Sequence, residues 1–295
     1  MYEDLRGKVV LLTGIGQTGD PTMWGNGAAT AKVFACEAGA KVFGCDLHIT
    51  AANHTKKRLE DEDGGGTCDV MAADVTNAAQ VKGFVQACME KHDMSSKSSP
   101  LQSEDIADST FCLCFLLGRI DILVNNVGRS EPGGPAEIDE PTWDKQTDIH
   151  LKSVYLTCHE VLPIMEKQAS GVIINISSVA GLRYIGKPQV AYAASKAAIN
   201  QFTKTTAVLY ARKGVRLNTV VPGLMHTPLI GYLAGKYAGG DLQGLIEKRN
   251  HQVPMGIMGD GFDVANTVAF LASEKARYIV GQKIVVDGGI TSTTP

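Results

Sequence analysis

Residues Thr13–Ala31, TGIGQTGDPTMWGNGAATA, hold five glycines and admit two readings of a phosphate-binding loop. The apolar run Lys8 to Thr13 delivers the chain into this loop as a buried strand. In one register Gly14, Gly16 and Gly19 spell GxGxxG, a motif that needs a helix to open within it. Asp20-Pro21 can start a helix, but Gly25, Asn26 and Gly27 would break it after little more than a turn. In the other register Gly14, Gly25 and Gly27 face the phosphates and the helix lies at Ala28 to Ala38. That segment, AATAKVFACEA, is amphipathic and ends on Gly39 as a C-cap. The second register is the consistent one. It turns helix amides and the positive end of the dipole toward a pyrophosphate, with Ile15 to Trp24 as a bulge above the ligand. Taken alone, an ordinary tight turn explains such a loop as well.

Working outward, short runs rich in Val and Ile alternate with helical patterns: Lys8 to Thr13, Lys41 to Cys45, Thr67 to Met71, Asp121 to Asn125, Gly171 to Ser177, Val215 to Val220 and Lys283 to Val286. Seven strands separated by helices predict an α/β fold, a doubly wound parallel sheet with helices on both faces. VVLLT, ILVNN and VIINIS are apolar throughout, which suits strands buried on both sides. We expect one dinucleotide-binding and catalytic domain over 1–295, with insertions at about 15–24 and 93–117. The second insertion, polar and Ser-rich before FCLCFLL, joins a helix to the start of a strand. It should therefore lie opposite the ligand edge of the sheet, dispensable for chemistry. Two origins stand for it, a genuine surface insertion and a translated intron. The latter rests on Phe, Cys and Leu codons, which can be as pyrimidine-rich as a splice-acceptor tract.

Composition excludes several classes. The formal net charge is −3, and the basic cluster Lys56, Lys57 and Arg58 reads as a solvated helix face, so nucleic acid is not an expected partner. Seven cysteines form no CxxC pair and lie mostly in apolar context, which predicts reduced, buried thiols, no metal site and a cytoplasmic protein. The N-terminus has acids where a signal peptide needs basic residues, and no membrane association is expected. The sequons at Asn53 and Asn175 are therefore chance matches.

Three further features converge on the same sheet edge. Asp46 ends the second strand, nineteen residues beyond Gly27, where a carboxylate can accept hydrogen bonds from an adenosine ribose and would repel a 2′-phosphate. NAD is thus favoured over NADP, unless Lys56 to Arg58 fold back toward the phosphate; a helix N-cap is the bland alternative for Asp46. In AYAASKAA, Tyr192 and Lys196 stand four apart on one helix face, so that a fixed cation should pull the phenol below its usual pKa near 10 and make it a usable acid/base. Ser178, at the end of IINISS, is either a turn former or a hydroxyl that holds a substrate carbonyl beside Tyr192.

With these residues the chain resembles the short-chain dehydrogenase/reductase family from about Lys8 to Gly289. The motifs occur in family order: the split glycine loop, DILVNNVG, NISS ahead of YAASK, VPG followed by Thr227, and the C-terminal VANTVAFLASEKARYIVGQKIVVDGG. The resemblance implies hydride transfer between a nicotinamide and a carbonyl or alcohol, and assembly as a homodimer or homotetramer. It implies Tyr192 as general acid/base, Lys196 as the residue that tunes it and binds the nicotinamide ribose, and Ser178 as the substrate-orienting hydroxyl. Among cofactor residues it implies Gly14, Gly25, Asn26 and Gly27 in the loop, Asp46, Asp74 and Val75 at the adenosine end, and Asn126 and Gly128 in the cleft. Pro222, Gly223 and Thr227 would lie beside the carboxamide, while Asn125 would be structural.

Two departures stand out. Ten residues separate Gly14 from Gly25 where the family has three, and DIHLKSVY puts His150 where the family has a catalytic asparagine. A neutral imidazole can donate one hydrogen bond and accept another, so we expect His150 to serve a retained but pH-sensitive proton relay, the alternative being that the bulkier ring disrupts the water site the family's asparagine helps to hold and slows turnover. The leading expectation is an NAD-dependent oxidoreductase acting on a secondary alcohol or ketone. The alternatives are a cofactor-binding scaffold or sensor, motivated by His150 and the insertions, and a non-redox epimerase or dehydratase. After Gly223, LMHTPLIGYLAGKYAGGDLQGLIEKRNHQVPMG should form a substrate lid. Its Leu224, Met225, Leu229, Tyr232 and Leu233 suggest a largely apolar substrate, although core packing would account for them too.

Overall fold

The first strand, β1 (Val9–Thr13), is buried along its whole length, and its side chains alternate between two cores. The computed structural model describes residues 2–61, 66–92 and 118–294. Among these, the helical run α1 (Asn26–Lys32) continues through a π-helical turn at Val33–Glu37. There follow β2 (Lys41–Asp46), α2 (Ile49–Glu60), β3 (Thr67–Ala72), α3 (Ala78–Lys91) and β4 (Ile122–Asn125). Next, α4 (Glu140–Thr147) passes through a second π-helical turn, Asp148–Lys152, into α5 (Ser153–Gln168). The chain then runs through β5 (Gly171–Ile176), α6 (Val190–Tyr210) and β6 (Val215–Pro222). It closes with α7 (Leu229–Tyr237), α8 (Leu242–Gln252), α9 (Gly261–Ala272) and β7 (Lys283–Val286).

The seven strands pair in parallel in the order β3-β2-β1-β4-β5-β6-β7. Each lies within two residues of its expected run, because an uninterrupted apolar stretch is what a strand covered on both faces requires. On one face Val10, Leu12, Val42, Val124 and Ile174 pack under α1, α2 and α9. On the other Val9, Leu11, Leu123, Ile173 and Leu217 pack under α3, α5 and α6. The order reverses between β1 and β4, which opens a crevice beyond the carboxyl ends of the strands. No helix among the described residues is long and apolar enough to cross a membrane. Of the seven cysteines, five lie among the described residues, and four of those are buried. The insertion expected at 93–117 lies outside the described residues.

The glycine loop follows the second register, with a narrower bulge than expected. The helix opens at Asn26 behind Gly25 as N-cap, two residues earlier than expected, and Gly39 (φ +67°) lies just past its end. Gly16 and Gly19 open no helix. The bulge does not begin at Ile15, however. Ile15 is fully buried against Gly44 of β2, where any Cβ would collide with it, and its carbonyl accepts a bond from Thr55 Oγ1 at 2.9 Å. Gln17 closes the neck. Its Oε1 accepts from Gly25 N at 2.9 Å, and its Nε2 donates to Met23 O at 2.7 Å. Only residues 18–24 make the excursion. It is anchored through Trp24, which packs on Phe262 and carries the Arg58 guanidinium 3.6 Å from its ring centre.

Candidate active site

The close approach of β1 to α1 fixes the floor of the crevice. A Cβ on Gly27 would stand 2.0 Å from the Gly14 carbonyl oxygen, so only glycine lets the two segments cross there. Asn126 holds the same carbonyl with its Nδ2 at 2.9 Å. From this floor extends a cleft of about 470 Å³. Gly14, Gly25, Asn26 and Gly27 line it, as do Asp46, Asp74 and Val75 at one end and Asn126, Gly128 and Thr227 at the other. Asp46 Oδ2 accepts from Gly16 N at 3.0 Å and Oδ1 from His48 N at 3.1 Å, so backbone amides set its orientation at the end of β2. Two of the three basic-cluster residues are engaged elsewhere than at Asp46. Lys56 pairs with Asp69 at 3.2 Å, and Arg58 is committed to Trp24 and the Met23 carbonyl.

The cleft continues into a cavity of about 160 Å³ lined by Ser178, Tyr192, Lys196, Pro222 and Gly223. Asn26, Asn126, Gly128 and Thr227 border both spaces, so the two groups of expected residues meet. Ser178 follows β5 and caps a short 3-10 turn by accepting from Ala180 N at 3.2 Å. It is therefore a turn former and a wall of the cavity at once. Its hydroxyl acts on the Tyr192 phenol, favouring the phenolate. Lys196 is buried, and its ammonium donates to Ile176 O at the end of β5 at 2.8 Å. Beneath them Asn125 Nδ2 donates to Asn175 Oδ1 at 2.9 Å within a buried chain that includes Thr157 and Thr203.

Burial changes the expected electrostatics of the pair. The Tyr192 phenol is raised above its ordinary value, because desolvation outweighs the influence of the Ser178 hydroxyl that favours the phenolate. Lys196 is itself pushed down to about 7 by desolvation, with its Nζ directed to a backbone carbonyl and 5.7 Å from the phenol ring centre. The expected depression of Tyr192 by a fixed cation is thus not found, since the ammonium goes to a backbone carbonyl and burial sets the phenol.

The expectation of a pH-sensitive relay at His150 is corrected as well. The imidazole is buried in the π-helical turn, with Nδ1 2.6 Å from Gln146 O and Nε2 accepting from Arg129 N at 3.1 Å. A carbonyl can only accept, so Nδ1 carries the proton and both nitrogens are occupied. Burial, then the Lys196 charge, drive its pKa to about 3, well below the range in which it could titrate during turnover. What the ring does touch is Tyr192, edge to face with centroids 5.0 Å apart.

Sequence comparison decides the family. The family model described as Enoyl-(Acyl carrier protein) reductase matches residues 103–291. The chain is 33% identical to 3beta-hydroxysteroid dehydrogenase 1 of Eggerthella lenta, over 99% of this chain and 96% of that protein. It is 34% identical to 3-oxoacyl-[acyl-carrier-protein] reductase FabG of Thermotoga maritima, over 97% and 98%. The chain belongs to the short-chain dehydrogenase/reductase family. Among solved structures, a chain described as a short-chain dehydrogenase/reductase from Burkholderia xenovorans superposes with a TM-score of 0.83 at 39% identity, over 99% of this chain and 100% of that one. Aldohexose dehydrogenase of Thermoplasma acidophilum gives 0.79 at 30% identity, over 100% and 98%. Membership makes the protein an oxidoreductase of a family that uses NAD(P).

As a short-chain dehydrogenase/reductase the chain shows a cavity that sequence reading covered only partly. Leu224, Met225, Leu229 and Leu233 line it as expected, whereas Tyr232 does not and instead donates to Glu131 at 3.1 Å. Arg129, Lys187, Gln189 and Arg249 also line it. The position of Arg129 directly after NNVG, and of Lys187 between Ser178 and Tyr192, were the available signals. Arg249, in LIEKRNHQ, reads like any solvated helix residue.

Proposed function

We propose that the protein interconverts a secondary alcohol and a ketone with NAD as the preferred acceptor, through residues 1–295 working as one catalytic domain. The observation that carries this reading is the junction of the glycine-floored cleft with the cavity where Ser178, Tyr192 and Lys196 meet. The residues fit the cofactor. Gly27 tolerates no Cβ, and the buried Asn26 Oδ1 has no hydrogen-bond partner among the described residues, an acceptor suited to a bound group. Gly14, Gly25 and Gly27 would pass beneath the pyrophosphate, Asp46 would take the ribose hydroxyls, and Asp74 and Val75 would border the adenine. Asn126, Gly128, Pro222, Gly223 and Thr227 would enclose the nicotinamide end. When bound, that nicotinamide supplies or accepts the hydride.

The chain's own residues move and hold the proton. Ser178 orients the substrate oxygen, and Tyr192 gives its phenolic proton to that oxygen during reduction or removes it during oxidation. Lys196, its ammonium fixed by the Ile176 carbonyl, would hold the nicotinamide ribose. His150 positions Tyr192 and the Arg129 backbone. Support for NAD over NADP comes from the Asp46 carboxylate and from the commitments of Lys56 and Arg58. Exposed apolar residues on α4 to α6, Trp143, Tyr155, Val208 and Leu209, support a homodimer or homotetramer.

The test is NADH absorbance during incubation with a panel of secondary alcohols, alongside NAD and NADP affinities. Tyr192→Phe should lower kcat by about 10²–10⁴-fold while leaving NAD affinity in place. Turnover within a few fold of the parent protein would overturn the assignment of Tyr192.

A further inference from the structure

The cavity beside Ser178 and Tyr192 contains more positive charge than its surroundings neutralise. Arg249, in the last turn of α8, is only 5% exposed, yet no described residue offers it a hydrogen bond or a carboxylate. The Lys187 ammonium lies 4.4 Å from the Tyr237 ring centre, likewise without a carboxylate, and the one charge acting on it is Arg249. Burial, then Arg249, push Lys187 down to about 8, and burial lowers Arg249 too. Two like charges withdrawn from water with no counter-charge are unfavourable, and the dipole at the end of α8 offsets only part of this. Arg129 is a different case, since its guanidinium stacks on Tyr232 and acts on the nearby Glu131.

A second observation is independent of charge. Gln189 is 5% exposed and lines the same cavity with its Oε1 buried and unpartnered. Rotation of the amide would present its NH2 group to an anion. The cofactor's phosphates do not explain these groups, because Lys187, Gln189 and Arg249 line the cavity and none of them lines the cleft. Leu224, Met225, Leu229 and Leu233 give the same cavity an apolar lining as well.

We infer that the substrate is a hydroxy or keto acid whose carboxylate is held by Arg249 and Lys187, with its carbon chain against the leucine and methionine wall. A guanidinium fork matches the two oxygens of a carboxylate, and the ammonium adds a point charge. The inference rests on the reading of Ser178, Tyr192 and Lys196 as the reacting centre. In the oxidative direction the carbinol carbon loses a hydride to NAD, the hydroxyl proton passes to Tyr192, and the products are a keto acid, NADH and one proton.

The test uses the full chain with NADH and three probes, 4-oxopentanoate, its methyl ester and 2-pentanone. The acid should be preferred over the ester by about 100-fold in kcat/KM, and Arg249→Gln or Lys187→Met should collapse that preference by about 10- to 100-fold, mostly through KM. Arg249→Lys, which keeps the charge, should recover part of it. Equal use of acid and ester, or a preference that survives Arg249→Gln, would overturn the inference, as would a preference for a phosphate ester such as dihydroxyacetone phosphate. Calorimetric titration of the NAD-loaded protein with 4-oxopentanoate separates this inference from the reading beneath it. Binding that depends on Arg249 without turnover would keep the anion site and sink the redox assignment. Turnover of neutral ketones with no Arg249-dependent acid binding would do the reverse.

Discussion

Gln17 gives the sharpest quantitative test of how the glycine loop is held. Its side chain is 4% exposed and bridges Gly25 N and Met23 O across the neck of the excursion. In Gln17→Ala the Met23 carbonyl keeps its bond from Arg58 Nη1 at 2.9 Å, so the loss falls on the Gly25 amide. An amide left unpaired costs about 1–3 kcal/mol, and the space vacated by the side chain brings the total to roughly 3 kcal/mol. With an unfolding entropy of about 2.1 cal/mol/K per residue, a chain of 295 residues should lose about 5 °C in Tm. Thermal unfolding at fixed protein concentration measures this, and a shift below about 1 °C would refute the bridge. Gln17→Glu adds a sign test. A carboxylate can still accept from Gly25 N, but it faces the Met23 carbonyl with lone pairs unless protonated, and burial raises its folded pKa above the unfolded value near 4.3. A raised folded value means stability that is present below the unfolded pKa and lost as pH rises through the folded one. The Tm deficit of Gln17→Glu should therefore be small near pH 4 and widen toward pH 7. A deficit independent of pH would contradict the geometry.

Other expectations follow from the same contacts. Gly27→Ala drives a methyl into the Gly14 carbonyl and should cost about 1–3 kcal/mol in stability and weaken NAD binding, read by thermal unfolding and by NADH fluorescence titration. His150→Asn should leave the shape of the pH-rate profile between pH 5 and 9 unchanged, since a group whose pKa is about 3 does not ionise there; a displaced acidic limb would show that His150 titrates. Lys196, depressed to about 7 when folded, makes stability rise as pH climbs from about 7 toward the unfolded value near 10.4, and that contribution is lost as pH falls through 7. Lys196→Met should flatten this rise in Tm, and an unaltered slope would assign it to other groups, Lys187 among them.

The sheet was legible because each strand is a continuous apolar run, and the loop register was legible because Gly25-Asn26-Gly27 cannot sit inside a helix. What sequence spacing does not encode is where a long side chain ends. Four residues between Tyr192 and Lys196 put both on one helix face, yet the ammonium goes to the Ile176 carbonyl and burial dominates the phenol. The replacement of asparagine by His150 was visible, but its two backbone partners come from segments four residues before it and twenty-one before it in the chain. Ile15 looks like part of an exposed loop until β2 supplies Gly44 as the gap it fills. Arg249 was missed because a charged residue in a polar helix carries no mark of the surface it faces. Which surface such a helix packs against is a tertiary fact.

The neck at Gln17 also bears on how such a protein accumulates length. One amide side chain joins the two ends of the excursion, so strand and helix meet the same way whatever chain lies between them. Loop-closure entropy grows only with the logarithm of length, and each doubling costs about 0.6 kcal/mol. A clasp of this kind makes the spot between Gln17 and Gly25 permissive to genetic insertion and deletion. Lineages can then diverge at the rim of the cofactor cleft without having to reinvent its floor.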